Sequence, residues 1–170
     1  MFDSCVLGID PGVAKLGLAA VGRDGRRPAL IWADTISTAP DAPEADRLRV
    51  LADAVRAAIV AHRPVSVAVE RVAFNRNQVS ALTVARATGA VMVVAAEAGL
   101  AVEEYSPTQV KSAVTGAGNA DKRQVRDALE RVHGFRDLPA TPDAVDAAAV
   151  ALTHLVGAKL RAAGRIGAAR

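Results

Sequence analysis

Apolar and polar positions in this chain repeat with two different periods, one typical of strands and one typical of helices. Three short apolar runs, at residues 4–10, 15–22 and 28–36, are separated by turn residues and predict an antiparallel meander of three strands. A helical spacing of leucine, valine and isoleucine then predicts an amphipathic helix that ends near His62, because a proline follows closely. The wholly apolar run at 65–69 predicts a central strand covered on both faces.

The second half of the chain is mostly helical. The pattern predicts a long helix at 79–98, a short strand at 101–104, and further helices at 107–114, 121–132 and 142–160. A meander followed by alternating strands and helices predicts an α/β fold. Its central sheet is expected to be mixed and five-stranded, with parallel crossovers after the third strand and helices on its faces.

Size and composition favour one compact domain over residues 1–170, with a frayed basic tail from about residue 164. The chain has 170 residues, of which 51% are hydrophobic. The single cysteine, Cys5, excludes an internal disulfide framework and is expected to be a small buried hydrophobe. No secretory leader and no apolar run of membrane-spanning length is present, which predicts a cytoplasmic protein that makes no membrane contact.

The charge balance is basic, with a net charge of +3 and a pI near 9.5. Most basic residues are arginines, whose planar fork binds phosphate, and this favours a nucleic-acid partner. A genome-wide bias toward arginine and alanine explains the same composition equally well.

Four carboxylates stand at positions that ordinary surface or core does not explain well. Asp10 and Glu70 each close an apolar strand, whereas Asp143 and Asp146 lie one turn apart on a predicted helix. Local roles remain open for each of them. Asp10 can cap a turn, Glu70 can pair with Arg71, and the two helical acids can favour the positive end of the helix dipole.

If the strand ends are neighbours and the helix crosses them, the four acids converge. Oxygen-only ligands suit a hard divalent cation, so these residues are candidates for holding two Mg2+ or Mn2+ ions for phosphoryl transfer. Lys111 and Lys122 could neutralise charge on the scissile phosphate, or they could be plain solvated surface.

Taken together, these motifs make the chain similar to the RuvC Holliday-junction resolvase family, within the RNase H-like superfamily. The matching stretches include Leu7 to Gly12 with Gly17, Val69-Glu70, Glu104-Tyr105, and Asp143 to Ala147 followed by His154. The resemblance implies a homodimer that nicks two strands of like polarity in a four-way DNA junction, using Mg2+ or Mn2+, and leaves 5′-phosphate and 3′-hydroxyl ends. It also implies work alongside the branch-migration proteins RuvA and RuvB.

The resemblance places catalytic and metal-binding roles on the four acids and a catalytic role on Lys122. The family pattern has a base-stacking aromatic residue where this chain has Ala73, and Phe74 is expected to take over that role. The candidate DNA-binding residues are Arg71, Phe74, Arg76, Asn77, Lys111, Lys122 and Arg123.

Three other functions stay open on the residues alone. The turn after the first strand also resembles the phosphate loop of actin-like kinases and ATPases, which need a second lobe that 170 residues do not supply. A non-catalytic junction-binding module would need only the basic residues. A nuclease of the same fold could instead act on RNA–DNA hybrids or simple duplexes.

Overall fold

The computed structural model describes residues 5–25, 27–71 and 78–167. Within these ranges the chain forms five strands and five helices, in the order that the sequence predicts. The elements are β1 (Cys5–Asp10), β2 (Lys15–Asp24), β3 (Arg27–Ser37), α1 (Glu44–His62), β4 (Ser66–Glu70), α2 (Gln78–Glu97), β5 (Ala101–Tyr105), α3 (Pro107–Thr115), α4 (Lys122–Arg131) and α5 (Pro142–Gly167).

The five strands form one mixed sheet in the order β3-β2-β1-β4-β5. Strands β1, β2 and β3 are antiparallel neighbours, whereas β1 pairs with β4 and β4 with β5 in parallel. The prediction of an antiparallel meander followed by parallel crossovers is therefore confirmed. Strand β1 is central, so its carboxyl end lies in the middle of one edge of the sheet.

Alternating side chains of the central strands pack into two separate hydrophobic cores, one on each face of the sheet. Leu7, Ile9 and Val67 point toward α1 and α2, whereas Val6 and Ala68 point toward α3, α4 and α5. This alternation is the expected behaviour of strands with a period of two residues. Both faces of the sheet are covered, as the apolar run of β4 predicts.

Helix α5 lies unusually close to the sheet because small residues face each other across the contact. A Cβ atom on Gly8 of β1 would stand 2.1 Å from the carbonyl oxygen of Ala147 and 2.7 Å from the Cβ of Ala151. Only glycine lets the helix backbone approach the strand so closely.

Further along α5, His154 fixes the helix to the parallel half of the sheet. Its Nε2 lies 3.0 Å from the hydroxyl of Ser66, and its Nδ1 lies 2.9 Å from the hydroxyl of Tyr105. His154 is thus a structural histidine whose two ring nitrogens both have hydrogen-bond partners.

The end of α5 differs from the prediction. The helix continues to Gly167, whereas the sequence pattern predicts an end near residue 160. Residues 161–163 and Arg165 are good helix formers, and the internal Gly164 costs only about 1 kcal/mol.

Two further expectations concern burial and membranes. Cys5 is buried, as predicted, with 7% of its surface exposed. Across the described ranges, no helix combines the length and the apolar character needed to cross a bilayer.

Candidate active site

Asp10 and Glu70 end two strands that lie side by side. Ile9 pairs with Val69 in the parallel β1–β4 ladder, so the next residue of each strand, an acid in both cases, projects from the same edge of the sheet. Both acids are only partly exposed. No ion pair joins Glu70 to Arg71 among the residues that the structure describes, so the local explanation for Glu70 fails.

Helix α5 brings the other two acids to this edge. Asp10 pairs with Gly17 of β2, and the backbone of Asp143 in the first turn of α5 packs directly on that glycine. Asp143 and Asp146 are both half-buried, and Asp146 is 23% exposed along its side chain. Four carboxylates from three elements are thereby gathered around the end of β1.

Electrostatic effects show that the four acids lie within range of one another. Burial raises the pKa of Asp10 from 3.8 to about 8, and repulsion by Glu70, Asp146 and Asp143 adds to this rise. Burial also raises the pKa of Glu70, with Asp146 as the next cause. A side-chain hydrogen bond between Asp10 and Glu70 adds to the rise in the pKa of Asp10 and opposes the rise in the pKa of Glu70.

Two lysines partly offset this negative charge. The Nζ of Lys122 lies 2.8 Å from the Oδ2 of Asp146, and this hydrogen bond is the main cause that raises the pKa of Lys122. A capping box between Asp121 and Gln124 fixes the first turn of α4, where Lys122 stands. Lys111 of α3 is near enough for its charge to lower the pKa of Glu70.

The donor set fits a hard divalent cation. It consists of carboxylate oxygens alone, and repulsion between these acids adds to the effect of burial in raising the pKa values of Asp10 and Glu70. As they stand, no three His, Cys, Asp or Glu side chains of the described ranges are arranged to hold a metal ion.

The remaining candidates are less closely associated with the acids. Arg71 follows β4 and is exposed, and its backbone N–H donates to the carbonyl oxygen of Tyr105 at 2.8 Å. Arg123 is exposed in the first turn of α4. Three predicted DNA contacts, Phe74, Arg76 and Asn77, lie outside the described residues, as does Ala73.

Sequence reasoning missed what brings α5 to the strands. Gly8 and Gly17 interrupt otherwise apolar strands, and a glycine within a strand is a recognised sign of close backbone approach. A cavity of about 900 Å3 lies between the β2–β3 turn and the end of α4, at the opposite end of the sheet, and none of the four acids lines it.

Comparisons with known proteins agree with this fold. The family model described as crossover junction endodeoxyribonuclease RuvC matches residues 6–154. Among curated proteins of that name, the one from Pelotomaculum thermopropionicum is 42% identical over 149 residues, covering 88% of this chain and 91% of the relative. The one from Rubrobacter xylanophilus is 39% identical over 165 residues, covering 97% of this chain and 92% of the relative.

A solved structure leads to the same family. The structure of RuvC from T. thermophilus in complex with Holliday junction substrate superposes with a TM-score of 0.86 at 37% identity, covering 92% of this chain and 96% of that one. Its likeness extends over the whole sheet and the helices around it, which is the RNase H-like α/β arrangement. The chain therefore belongs to the crossover junction endodeoxyribonuclease RuvC family.

Proposed function

We propose that this protein is a Holliday-junction resolvase that works as a homodimer and nicks two strands of like polarity symmetrically. Each nick would leave a 5′-phosphate and a 3′-hydroxyl. The observation that carries the proposal is the group of four mutually repelling carboxylates at the end of β1, with Lys122 beside it. A site of this kind stabilises a metal-dependent attack on a phosphodiester better than any other reaction that its residues allow.

The proposed metal ligands are Asp10, Glu70, Asp143 and Asp146, holding two Mg2+ ions per subunit, with Mn2+ able to replace them. When bound, the ions would supply an activated water and stabilise charge on the departing 3′ oxygen. Asp10 is central because β1 lies between β2, against which α5 packs, and β4, which carries Glu70.

Lys122 has the position of an electrostatic stabiliser. Its ammonium group lies at the rim of the acids, and 74% of its side chain is exposed, so a DNA phosphate could reach it. Lys111 would act from the side of Glu70. Arg71 follows Glu70 directly and Arg123 follows Lys122 directly; both are exposed, and we propose that both contact the DNA backbone. The DNA roles of Phe74, Arg76 and Asn77 remain predictions.

A homodimer would use the outer face of α2. Leu82 and Val93 are 54% and 57% exposed, and at a separation of three helical turns they lie in one line with Gly89. Arg86 lies on the same line and is paired with Glu44 of α1, and the remaining apolar and small residues suit a second copy of the same helix. Of the small residues on α2, Ala87 does not belong to that face, because it is buried in the protein's own core.

We propose a four-way DNA junction as the substrate because the chain belongs to the RuvC family. The T. thermophilus relative is described in complex with a Holliday junction, and the likeness to it covers nearly all of both chains. Work in the cytoplasm with RuvA and RuvB is part of the same proposal.

Acid-to-amide variants test the proposal directly. Asp10→Asn and Asp146→Asn should bind a four-way junction at least as tightly as wild type in EDTA, because each removes a negative charge near phosphate, yet they should not cleave it in Mg2+. Asp53→Asn is a matched control, since Asp53 pairs with arginines on the exposed face of α1. This variant should cleave normally. Full cleavage by the first two variants would refute the proposed site.

Substrate choice needs a separate comparison. Binding and cleavage of four-way, simple duplex and RNA–DNA hybrid substrates should be measured side by side at stated salt. A preference for the junction supports a resolvase. Equal cleavage of the hybrid or the duplex would leave a nuclease of another specificity, and an ATP-dependent thermal shift without junction binding would favour a kinase-like protein.

A further inference from the structure

Arg126 joins the helix that carries Lys122 to the segment that leads into α5. It stands one turn after Lys122 on α4, and 31% of its side chain is exposed. Its Nη1 donates to the Oε1 of Glu130 at 3.0 Å, within the same helix. Its Nη2 donates to the carbonyl oxygen of Pro139. One guanidinium group thus holds two elements at once.

The segment at 138–141 is also held from the other side. The hydroxyl of Thr35 on β3 donates to the hydroxyl of Thr141 at 2.9 Å. Helix α5 begins at the next residue, Pro142, and Asp143 and Asp146 occupy its first turns. The start of α5, which rests on β2 at Gly17, is therefore also held by β3 and by α4, and Arg126 makes the contact from α4.

The Arg126–Pro139 contact affects the position of the two acids on α5. A helix moves as a rigid element, so a displacement at Pro139 would carry Asp143 and Asp146 together. The Lys122–Asp146 contact, at 2.8 Å, joins the same two helices and would open with that displacement. Charge-assisted hydrogen bonds are shorter and stronger than neutral ones, which makes the Arg126–Pro139 contact an effective restraint.

We propose that Arg126 is a positioning residue for strand cleavage: through the carbonyl of Pro139 it sets the distance between Lys122 and the acids of α5. This inference rests on the proposed function. Within the part of the chain that the structure describes, the Arg126 side chain bonds to Glu130 and Pro139 and to none of the four site acids, so it would act through Pro139 and the start of α5. Arginine suits the role because its planar fork presents donors to Glu130 and Pro139 in fixed directions, which the single ammonium group of lysine cannot do.

The test compares Arg126→Met with Glu130→Gln. Methionine keeps the apolar stem and removes both hydrogen bonds, whereas the glutamine variant leaves the contact with Pro139 in place. At saturating junction and Mg2+, Arg126→Met should lower kcat by about 10- to 100-fold, since a displacement of about 1 Å has effects of that size. Junction affinity in EDTA should stay within about twofold, and Glu130→Gln should keep both values near wild type. Arg126→Lys should restore only part of kcat.

Two further measurements separate positioning from simple loss of folding. The affinity for Mn2+ alone, measured by electron paramagnetic resonance without DNA, should fall by about tenfold in Arg126→Met and remain unchanged in Glu130→Gln. In a Lys122→Gln background, Arg126→Met should lower kcat by less than it does in wild type, because the two changes affect one contact.

The inference is overturned if Arg126→Met and Glu130→Gln lower kcat equally. It is also overturned if Arg126→Met lowers only the melting temperature, with kcat per folded molecule and Mn2+ affinity unchanged. A wild-type protein that binds Mn2+ but leaves junctions intact would refute the proposed function instead, and the Mn2+ comparison would still decide the role of Arg126.

Discussion

A Cβ atom on Gly17 would stand 2.0 Å from the carbonyl oxygen of Asp143, so the first turn of α5 rests on β2 where that strand pairs with Asp10. We expect Gly17→Ala to force α5 away from the sheet. The collision is with backbone, which cannot rotate aside, so the cost should be roughly 3 kcal/mol or more of unfolding free energy. Urea denaturation measures that cost, and junction cleavage should be lost even in molecules that still fold.

A matched glycine keeps this prediction specific. At Gly118 a Cβ atom would meet the Cγ2 of Thr108 at 2.9 Å and the hydroxyl of Ser112 at 3.0 Å, both at the ends of side chains that can rotate. Gly118→Ala should therefore cost less than about 1 kcal/mol. If the two variants were equally stable, the close approach of α5 to β2 would be wrong.

The sequence could predict the strands and the edge at which Asp10 and Glu70 meet. Apolar runs mark strands β1 and β4, each acid follows such a run directly, and parallel neighbours end at the same edge of a sheet. The pairing of these two strands follows from chain order and the crossover rule. For that reason two of the four acids could be placed beside each other without coordinates.

The position of α5 could not be predicted in this way. It depends on Gly8 and Gly17, which become informative only when the strand that each belongs to and the helix above it are known. Lys122 and Asp146 are 24 residues apart, and no local pattern indicates that they touch. Arg126 likewise has the sequence signature of an ordinary exposed helix residue, since its partner Pro139 lies in an irregular segment.

Replacing Lys122 tests whether its positive charge contributes to cleavage, because the replacement should have little effect on stability. Because 74% of its side chain is exposed, its ion pair with Asp146 should contribute no more than about 1 kcal/mol to folding. Lys122→Gln should nevertheless lower kcat by about 10²- to 10³-fold, the usual cost of removing a group that stabilises charge in the transition state. Single-turnover cleavage at saturating Mg2+ gives this value.

The neighbouring Arg123→Gln is the control for Lys122→Gln. Arg123 is exposed, and its expected role is contact with the DNA backbone alone. Its loss should weaken junction binding and reduce the salt dependence of affinity by about one unit of slope, with kcat at saturation unchanged. Equal loss of kcat in both variants would contradict a distinct role for Lys122.

Cys5 should be inert toward thiol reagents in the folded protein. Burial raises its pKa from 9.0 to about 11, so only about 0.1% of the thiol is ionised at pH 8. Reaction with Ellman's reagent should be slow in buffer and rapid in denaturant. A Val60→Cys variant in a Cys5→Ala background should react quickly without denaturant, because Val60 is 75% exposed. Rapid reaction of native Cys5 would show that β1 opens readily.

Asp10 should make the metal-free protein less stable as the pH rises. Its pKa is about 8 in the folded state and 3.8 in the unfolded chain, so the folded protein retains a proton that the unfolded chain releases. Below about pH 4 both the folded and the unfolded state hold the proton, and Asp10 does not lower the free energy of unfolding. Between about pH 4 and pH 8 the free energy of unfolding falls as the pH rises. At pH 8 in EDTA, Asp10→Asn should be more stable than wild type by roughly 2 to 5 kcal/mol, since an amide can donate to Glu70 without a charge.

The same linkage predicts how Mg2+ acts on stability. A cation that needs ionised carboxylates competes with the proton on Asp10, so Mg2+ should raise the melting temperature of wild type more at pH 8 than at pH 5.5. Asp10→Asn should show a much smaller Mg2+-dependent shift at both values, because it lacks one ligand and has no proton to displace. Differential scanning calorimetry at the two pH values, with EDTA or Mg2+, measures all four conditions. If wild type and Asp10→Asn responded to pH and Mg2+ in the same way, Asp10 would be neither the group that holds the proton nor a ligand for the ion.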